Sequence, residues 1–289
     1  ADAAMVTARR TKSGFAVFDP AMEADTEGTV SLLSQLRRAV AEEQLVLFFQ
    51  PKANFGSNRC DSVEVLVRWQ HPDRGMIPPD QFIPFAEHTG FIREITKWVV
   101  DRSVAQVASW RRAGLYIGVS INVSARDLVY EDLPSFVGDT LLRHGLDAGW
   151  ITLEVTESAV MDDPKRANEA LKRLAKLGIR LSVDDFGTGY SSLAQLKRMP
   201  VQEMKIDKSF VLELPTNAND SVIVRSTINM AHSMGLEVVA EGIEDAQTWS
   251  LLQGWGCDIG QGYFLSRPLP APQLEAWLRS RPLQMLATA

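Results

Sequence analysis

Short apolar runs rich in β-branched residues recur along the chain at a regular spacing. They fall at 45–49, 63–69, 116–123, 151–155, 179–183, 203–206 and 236–240, and more weakly at 257–262. Runs of this length bounded by turn residues predict buried strands. Between most of them, residues 92–110, 133–143, 165–177, 191–198, 221–234, 245–252 and 272–279 place apolar side chains at a helical period. Gly114, Gly145, Gly178 and Gly235 stand just past four of these stretches, where a left-handed residue closes a helix. Eight strands alternating with helices over about 245 residues predict a TIM-like (β/α)8 barrel, with an open doubly wound sheet as the rival. The first forty residues break the pattern. Residues 1–10 suit a short helix, 15–18 a strand and 19–28 an acidic linker, before Leu32, Leu33, Leu36, Ala39 and Val40 recur at helical spacing.

What interrupts the apolar strands carries the chemistry. The second run holds Glu64, the third ends Asn122-Val123-Ser124, and the fourth reads Glu154-Val155-Thr156-Glu157. The fifth runs into Asp184-Asp185-Phe186-Gly187, the sixth contains Lys205, the seventh ends in Glu241, and the eighth holds Gln261. In a barrel the C-terminal strand ends meet at one mouth, where a rigid frame positions catalytic groups. Taken singly, each has a plainer reading: Glu64 as a salt-bridge partner, Asp184-Asp185 as a polar turn, Lys205 as a surface lysine. Those readings would have to hold independently on seven strands. Adjacent strand residues face opposite ways, so Asp184 and Asp185 serve one site only if the strand ends there. Carboxylates crowded at one mouth cost several kcal/mol each unless compensated. Divalent cations compensate them, and oxygen donors suit Mg2+ or Mn2+ better than zinc. A two-metal hydrolytic site is the expected chemistry.

Composition narrows the picture. The 289 residues carry 30 Lys+Arg against 36 Asp+Glu, a formal charge of −6, which disfavours a basic surface for a nucleic-acid polymer or anionic membrane. Cys60 and Cys257 are too few for a disulfide framework or cysteine zinc site, and His71, His88, His144 and His232 lack ligand spacing. No apolar run nears the roughly 20 residues of a membrane span, and no signal peptide opens the sequence, so a cytoplasmic setting is expected.

The ordered motifs permit a family comparison. Phe49-Gln50-Pro51-Lys52, Glu64-Val65-Leu66-Val67-Arg68-Trp69, Asn122-Val123-Ser124, Glu154-Val155-Thr156-Glu157, DDFGTGYSSL at 184–193, Lys205-Ile206-Asp207, Ala240-Glu241-Gly242-Ile243-Glu244 and Gln261-Gly262-Tyr263 follow in sequence. Over about residues 30–280 the chain resembles EAL-domain cyclic-di-GMP phosphodiesterases. One departure is Val65 in the namesake Glu-Ala-Leu. The resemblance implies that Glu64, Asn122, Glu154 and Asp184 ligate one metal, with Asp184 bridging to a second completed by Asp185 and Glu241. It implies that Lys205 and Gln261 act with them, that Gln50, Leu66 and Arg68 contact substrate, and that Glu157 anchors the loop after the fifth predicted strand. The implied reaction turns cyclic-di-GMP into linear 5′-pGpG, with a homodimer formed through that loop; Ca2+, which positions water less strictly in an oxygen site, is expected to inhibit. Residues 1–22 resemble the tail of a GGDEF domain, 23–43 a linker and connector helix, and 44–289 the EAL domain. A catalytically weak EAL receptor for cyclic-di-GMP, or an interaction scaffold, are the alternative functions.

Overall fold

The structure is a computed structural model that describes residues 20–130, 132–187 and 193–280. Ten strands occur among them: β1 (Leu45–Asn54), β2 (Ser62–His71), β3 (Gly75–Ile77), β4 (Gly118–Val123), β5 (Ile151–Thr156), β6 (Arg180–Phe186), β7 (Glu203–Ile206), β8 (Glu237–Ala240), β9 (Ile259–Gln261) and β10 (Leu269–Pro270). Eight of them form a closed barrel in the order β1-β9-β8-β7-β6-β5-β4-β2, with β2 returning to β1. The expected TIM-like barrel is therefore present, with one difference from an all-parallel ring. Strand β1 runs antiparallel to β9, while β2 and β4 through β9 are parallel. The chain from β1 to β2 is short and contains no crossover helix, and parallel neighbours would need one.

The predicted helical stretches appear as Ile92–Arg112, Leu133–His144, Pro164–Lys176, Leu193–Leu196, Ala218–Ser233, Ala246–Gly254 and Ala271–Ser280. Gly114, Gly145, Gly178 and Gly235 all adopt positive φ, between 61° and 89°. The barrel strands bury Val63, Val65, Val119, Ile121, Leu153, Val155, Leu181, Val183, Met204, Val238 and Val239 at 3% exposure or less. Residues absent from the predicted elements are short: β3, β10 and the helices Ile83–Thr89, Ala125–Val129, Glu157–Asp162 and Lys208–Val211. The last residue of the expected fourth strand, Glu157, instead opens a helix whose N-cap, Thr156, accepts from Ala159 N.

Chain contacts divide the molecule into two compact units, one of Leu47–Arg68 and Ile92 onward, which contains the barrel core. The other comprises the described residues up to Val46 and Trp69–Phe91. In it a helix spans Pro20–Ala41, so the stretch expected as an acidic linker is helical. Proline at a first helical position is pre-set in φ and lacks only a donor that would be orphaned anyway. The core of this unit is Leu36, Ala39, Trp69, Phe82 and Ala86, with the Trp69 and Phe82 rings edge-to-face at 5.9 Å. The proposed GGDEF tail falls mostly on residues 1–19, outside the described residues.

Candidate active site

Strands β2, β4, β5, β6, β7 and β9 each carry at least one of the predicted polar side chains within an otherwise apolar run, and Glu241 directly follows β8. Register aligns Asn122 with Glu154 across β4 and β5, and Thr156 with Asp184 across β5 and β6. Lys205, on β7, is 1% exposed. A buried ammonium needs acceptors for its three N–H groups. Its Nζ lies 2.7 Å from Glu154 Oε2, 3.0 Å from Asp184 Oδ2, 2.6 Å from Glu241 Oε1 and 3.9 Å from Glu64 Oε2. Four acids predicted from four different strands thus surround one lysine.

A second group of contacts ties the amides to Glu64. Asn122 Nδ2 donates to Glu64 Oε1 at 2.8 Å, and Gln261 Nε2 donates to Glu64 Oε2 at 2.5 Å and to Gln50 Oε1 at 3.1 Å. Gln50 in turn donates to the Ser266 carbonyl at 3.3 Å. A cleft of about 340 Å³ opens here, with Gln50, Glu64, Asp184, Lys205, Glu241 and Gln261 on its wall. Its rim includes Lys208 and the exposed Tyr263, which had not been singled out.

Asp184 stands on the cleft wall and Asp185 does not. Strand β6 does not end at them; it continues to Phe186. Instead its pairing with β7 slips between Val183 and Phe186, and Asp185 takes φ 54°. Such a bulge re-aims a side chain, and a non-glycine residue at positive φ is strained in a way functional sites tolerate. Asp185 N donates to Asp184 Oδ1 at 2.8 Å. Glu157 is buried and accepts from Gly187 N at 3.2 Å through Oε2. That bond ties it to the start of the loop it was expected to anchor. Leu66 and Arg68 are half-buried but do not line the cleft. Arg68 Nη1 donates to the Val67 carbonyl, and its guanidinium lies 5.7 Å from the Phe48 ring centre.

The electrostatics follow from burial and crowding. Burial pushes Glu241 up to about 8 despite the pull of Lys205, and Asp184 and Glu64 add to the rise. Asp185 is likewise raised, by burial first and by Asp184 next. Burial opposes ionisation of Glu154 too, but Lys205 and Lys52 outweigh it and hold that carboxyl at about 2. Lys205 rises well above its ordinary value because Asp184, Glu154, Glu241 and Glu64 overcome its burial.

Lys52, Ser120 and Glu203 were not among the predicted site residues. Lys52 is 1% exposed, and its Nζ donates to Glu154 Oε1 at 2.6 Å and Ser120 Oγ at 2.7 Å, with Glu203 Oε1 3.6 Å away. Period-two alternation would have found all three. Each lies two residues before or after a predicted residue on the same strand: Lys52 after Gln50, Ser120 before Asn122, Glu203 before Lys205.

The donors of this site are oxygens, as Mg2+ or Mn2+ prefers. Among the described residues no three His, Cys, Asp or Glu side chains already converge on a point an ion could take, because the Lys205 ammonium stands between the acids. In kind, the set fits divalent cations. Among the described residues the ion pairs of Glu64, Glu154, Asp184 and Glu241 run to Lys205 and, for Glu154, also to Lys52, and the buried Oε1 of Gln261 has no hydrogen-bond partner.

Comparison with known proteins identifies the family. The EAL domain profile matches residues 33–268. The chain is 40% identical over 278 residues to the bifunctional diguanylate cyclase/cyclic di-GMP phosphodiesterase MucR of Pseudomonas aeruginosa, covering 96% of this chain and 41% of that protein. It is 37% identical over 270 residues to the cyclic di-GMP phosphodiesterase PA2567 of the same organism, covering 92% of this chain and 46% of that one. The chain thus spans less than half the length of these relatives. A solved structure described as the PaMucR phosphodiesterase in complex with c-di-GMP superposes with a TM-score of 0.81 at 41% identity, covering 84% of this chain and 99% of that one. This chain belongs to the EAL-domain family.

Proposed function

We propose that the domain is a cyclic-di-GMP phosphodiesterase that opens its substrate to linear 5′-pGpG. The observation that carries this reading is the cluster of Glu64, Glu154, Asp184 and Glu241 around Lys205 at a cleft of the barrel, in a chain related to proteins named for that activity. Glu64, Asn122, Glu154 and Asp184 would hold one Mg2+ or Mn2+ ion, and Asp184, Asp185 and Glu241 a second. When bound, such ions supply an acidified water and neutralise charge on phosphoryl oxygens.

The chain's own groups divide the remaining work. Lys205 brings a preorganised positive charge to the cleft, where it offsets charge that develops on a phosphoryl oxygen. Gln261 fixes Glu64 through Nε2, which leaves its Oε1 for a water or ligand hydrogen. Gln50 holds Gln261 in that orientation. Leu66 and Arg68 contact the nucleotide from beyond the cleft wall, Arg68 by its affinity for phosphate. Glu157 secures the loop after β6 through Gly187 N, and that loop leads to a homodimer contact. The full-length protein carries a GGDEF domain ahead of residue 23, and the EAL domain works in the cytoplasm. No helix among the described residues is long and apolar enough to cross a membrane.

Purified protein incubated with cyclic-di-GMP and Mg2+ or Mn2+ should release linear 5′-pGpG, and Ca2+ should suppress the reaction. Tight nucleotide binding without a linear product, at concentrations that allow dimers, would replace the enzyme with a receptor. No binding at all would leave an interaction scaffold.

A further inference from the structure

The two oxygens of Glu154 face opposite ends of the barrel. Oε2 meets Lys205, which lines the catalytic cleft. Oε1 meets Lys52, which lines a separate cavity of about 300 Å³ at the N-terminal strand ends, together with Ser62, Gly118, Thr152, Arg180 and Glu203. Glu154 itself has no exposed side-chain surface. Lys52 reaches it from β1, the one barrel strand that runs backwards; its Nζ donates to Ser120 Oγ at 2.7 Å and to Glu154 Oε1 at 2.6 Å, and Glu203 Oε1 lies 3.6 Å away as an ion-pair partner. A buried ammonium with two hydrogen-bond acceptors and a carboxylate beside it is costly to move, and so is the oxygen it holds.

We propose that Lys52 is a positioning residue that restricts Glu154 to one-oxygen ligation and so selects Mg2+ or Mn2+ against Ca2+. The inference rests on the metal-dependent reading given above. Calcium takes six to eight oxygens at about 2.3–2.6 Å and gains from carboxylates that chelate through both, whereas Mg2+ demands a compact octahedron of single oxygens. With Oε1 committed to Lys52 on the side away from the cleft, Glu154 has only Oε2 to offer an ion. Removing the Lys52 ammonium frees Oε1 to swing toward the cleft, and the site gains the extra oxygen that the larger ion uses. Ser120 and Glu203 act through Lys52, by keeping its Nζ beneath Glu154.

The test is calorimetric titration of the full chain with Mg2+ and with Ca2+, without nucleotide, for the native protein and Lys52→Met. Outer-shell partners of metal ligands commonly govern affinity by about 10–100-fold. We expect the ratio of Mg2+ to Ca2+ affinity to fall at least about tenfold in Lys52→Met. Should that variant fail to fold, as judged by circular dichroism, Lys52→Met/Glu203→Gln removes one charge of each sign and should show the same loss of discrimination. A ratio within twofold of native in a folded variant overturns the role of Lys52 while leaving the metal site standing. A native protein that binds neither ion overturns the metal-dependent reading itself. A general structural defect would weaken both ions alike and leave the ratio unchanged.

Discussion

Gly262, on the wall of the cleft, is where a single methyl group should disable the site. A Cβ built there would stand 2.0 Å from the Ile243 carbonyl oxygen, 2.3 Å from its nitrogen and 2.6 Å from its carbonyl carbon. A carbon rests no closer than about 3.3 Å from a carbonyl oxygen, so the two backbones must part by about 1.3 Å. Neither is free to yield: Ile243 N donates to the Gln261 carbonyl at 3.1 Å, and the Ile243 carbonyl accepts from Phe264 N at 2.9 Å. Overpacking of this kind costs about 1–3 kcal/mol, and rigid backbone on both sides places Gly262→Ala at the upper end. For a domain of this size that is a fall in Tm of about 6–12 °C. The larger effect should be on rate. Gln261 precedes the glycine and Glu241 lies two residues before Ile243, so the shift separates two residues of the cleft, and a misplacement of about 1 Å can cost roughly 100-fold. The assay is steady-state release of 5′-pGpG beside a thermal melt, with Gly254→Ala as control, where a Cβ meets nothing within 4 Å. If Gly262→Ala melts within 2 °C of native, about half a kcal/mol on the same scale, and turns over within a factor of about two, the coupling of this close contact to the site is refuted.

Glu64→Ala should leave a folded barrel by circular dichroism yet lower turnover by roughly 10²–10³-fold, the scale of losing a preorganised electrostatic group; near-native turnover would remove Glu64 from the metal set. Chelation should lower Tm without unfolding the domain, and Mg2+ added at about 100 times its Kd should restore about 2.7 kcal/mol. A melt indifferent to both treatments would mean that no ion binds. Lys205→Met takes away the charge nearest to four acids, so its metal-free form should melt lower than native, and its Mg2+-induced rise in Tm should exceed the native rise. An equal or smaller rise would show that Lys205 does not share ligands with the ion.

The barrel was legible because strand runs and helix periods alternate without ambiguity, and because Gly114, Gly145, Gly178 and Gly235 mark helix ends. The site was legible because acids and amides inside apolar strands are costly unless they serve something. The reversed direction of β1 was not legible, since a strand's apolar pattern reads the same in both directions. Nor was the backbone at Asp184-Asp185, where the positive φ of Asp185 and the slipped pairing with β7 depart from regular strand alternation. Lys52 escaped notice for another reason. Alternation puts it on the face of Gln50, two residues earlier, but its partners Ser120, Glu154 and Glu203 come from three other strands. Glu157 was placed at a strand end, and the Thr156 cap turned that end into a helix start.

The position of Lys205 bears on the order in which this protein is made ready. A cluster of acids that relied wholly on divalent ions could not close until those ions arrived. Here the chain carries its own placeholder: the ammonium touches Glu154, Asp184 and Glu241 within 3.0 Å. On the metal-dependent reading proposed above, the barrel would fold before any ion is bound and take up Mg2+ or Mn2+ afterwards. On that reading metal supply would govern when the domain works and not whether it folds.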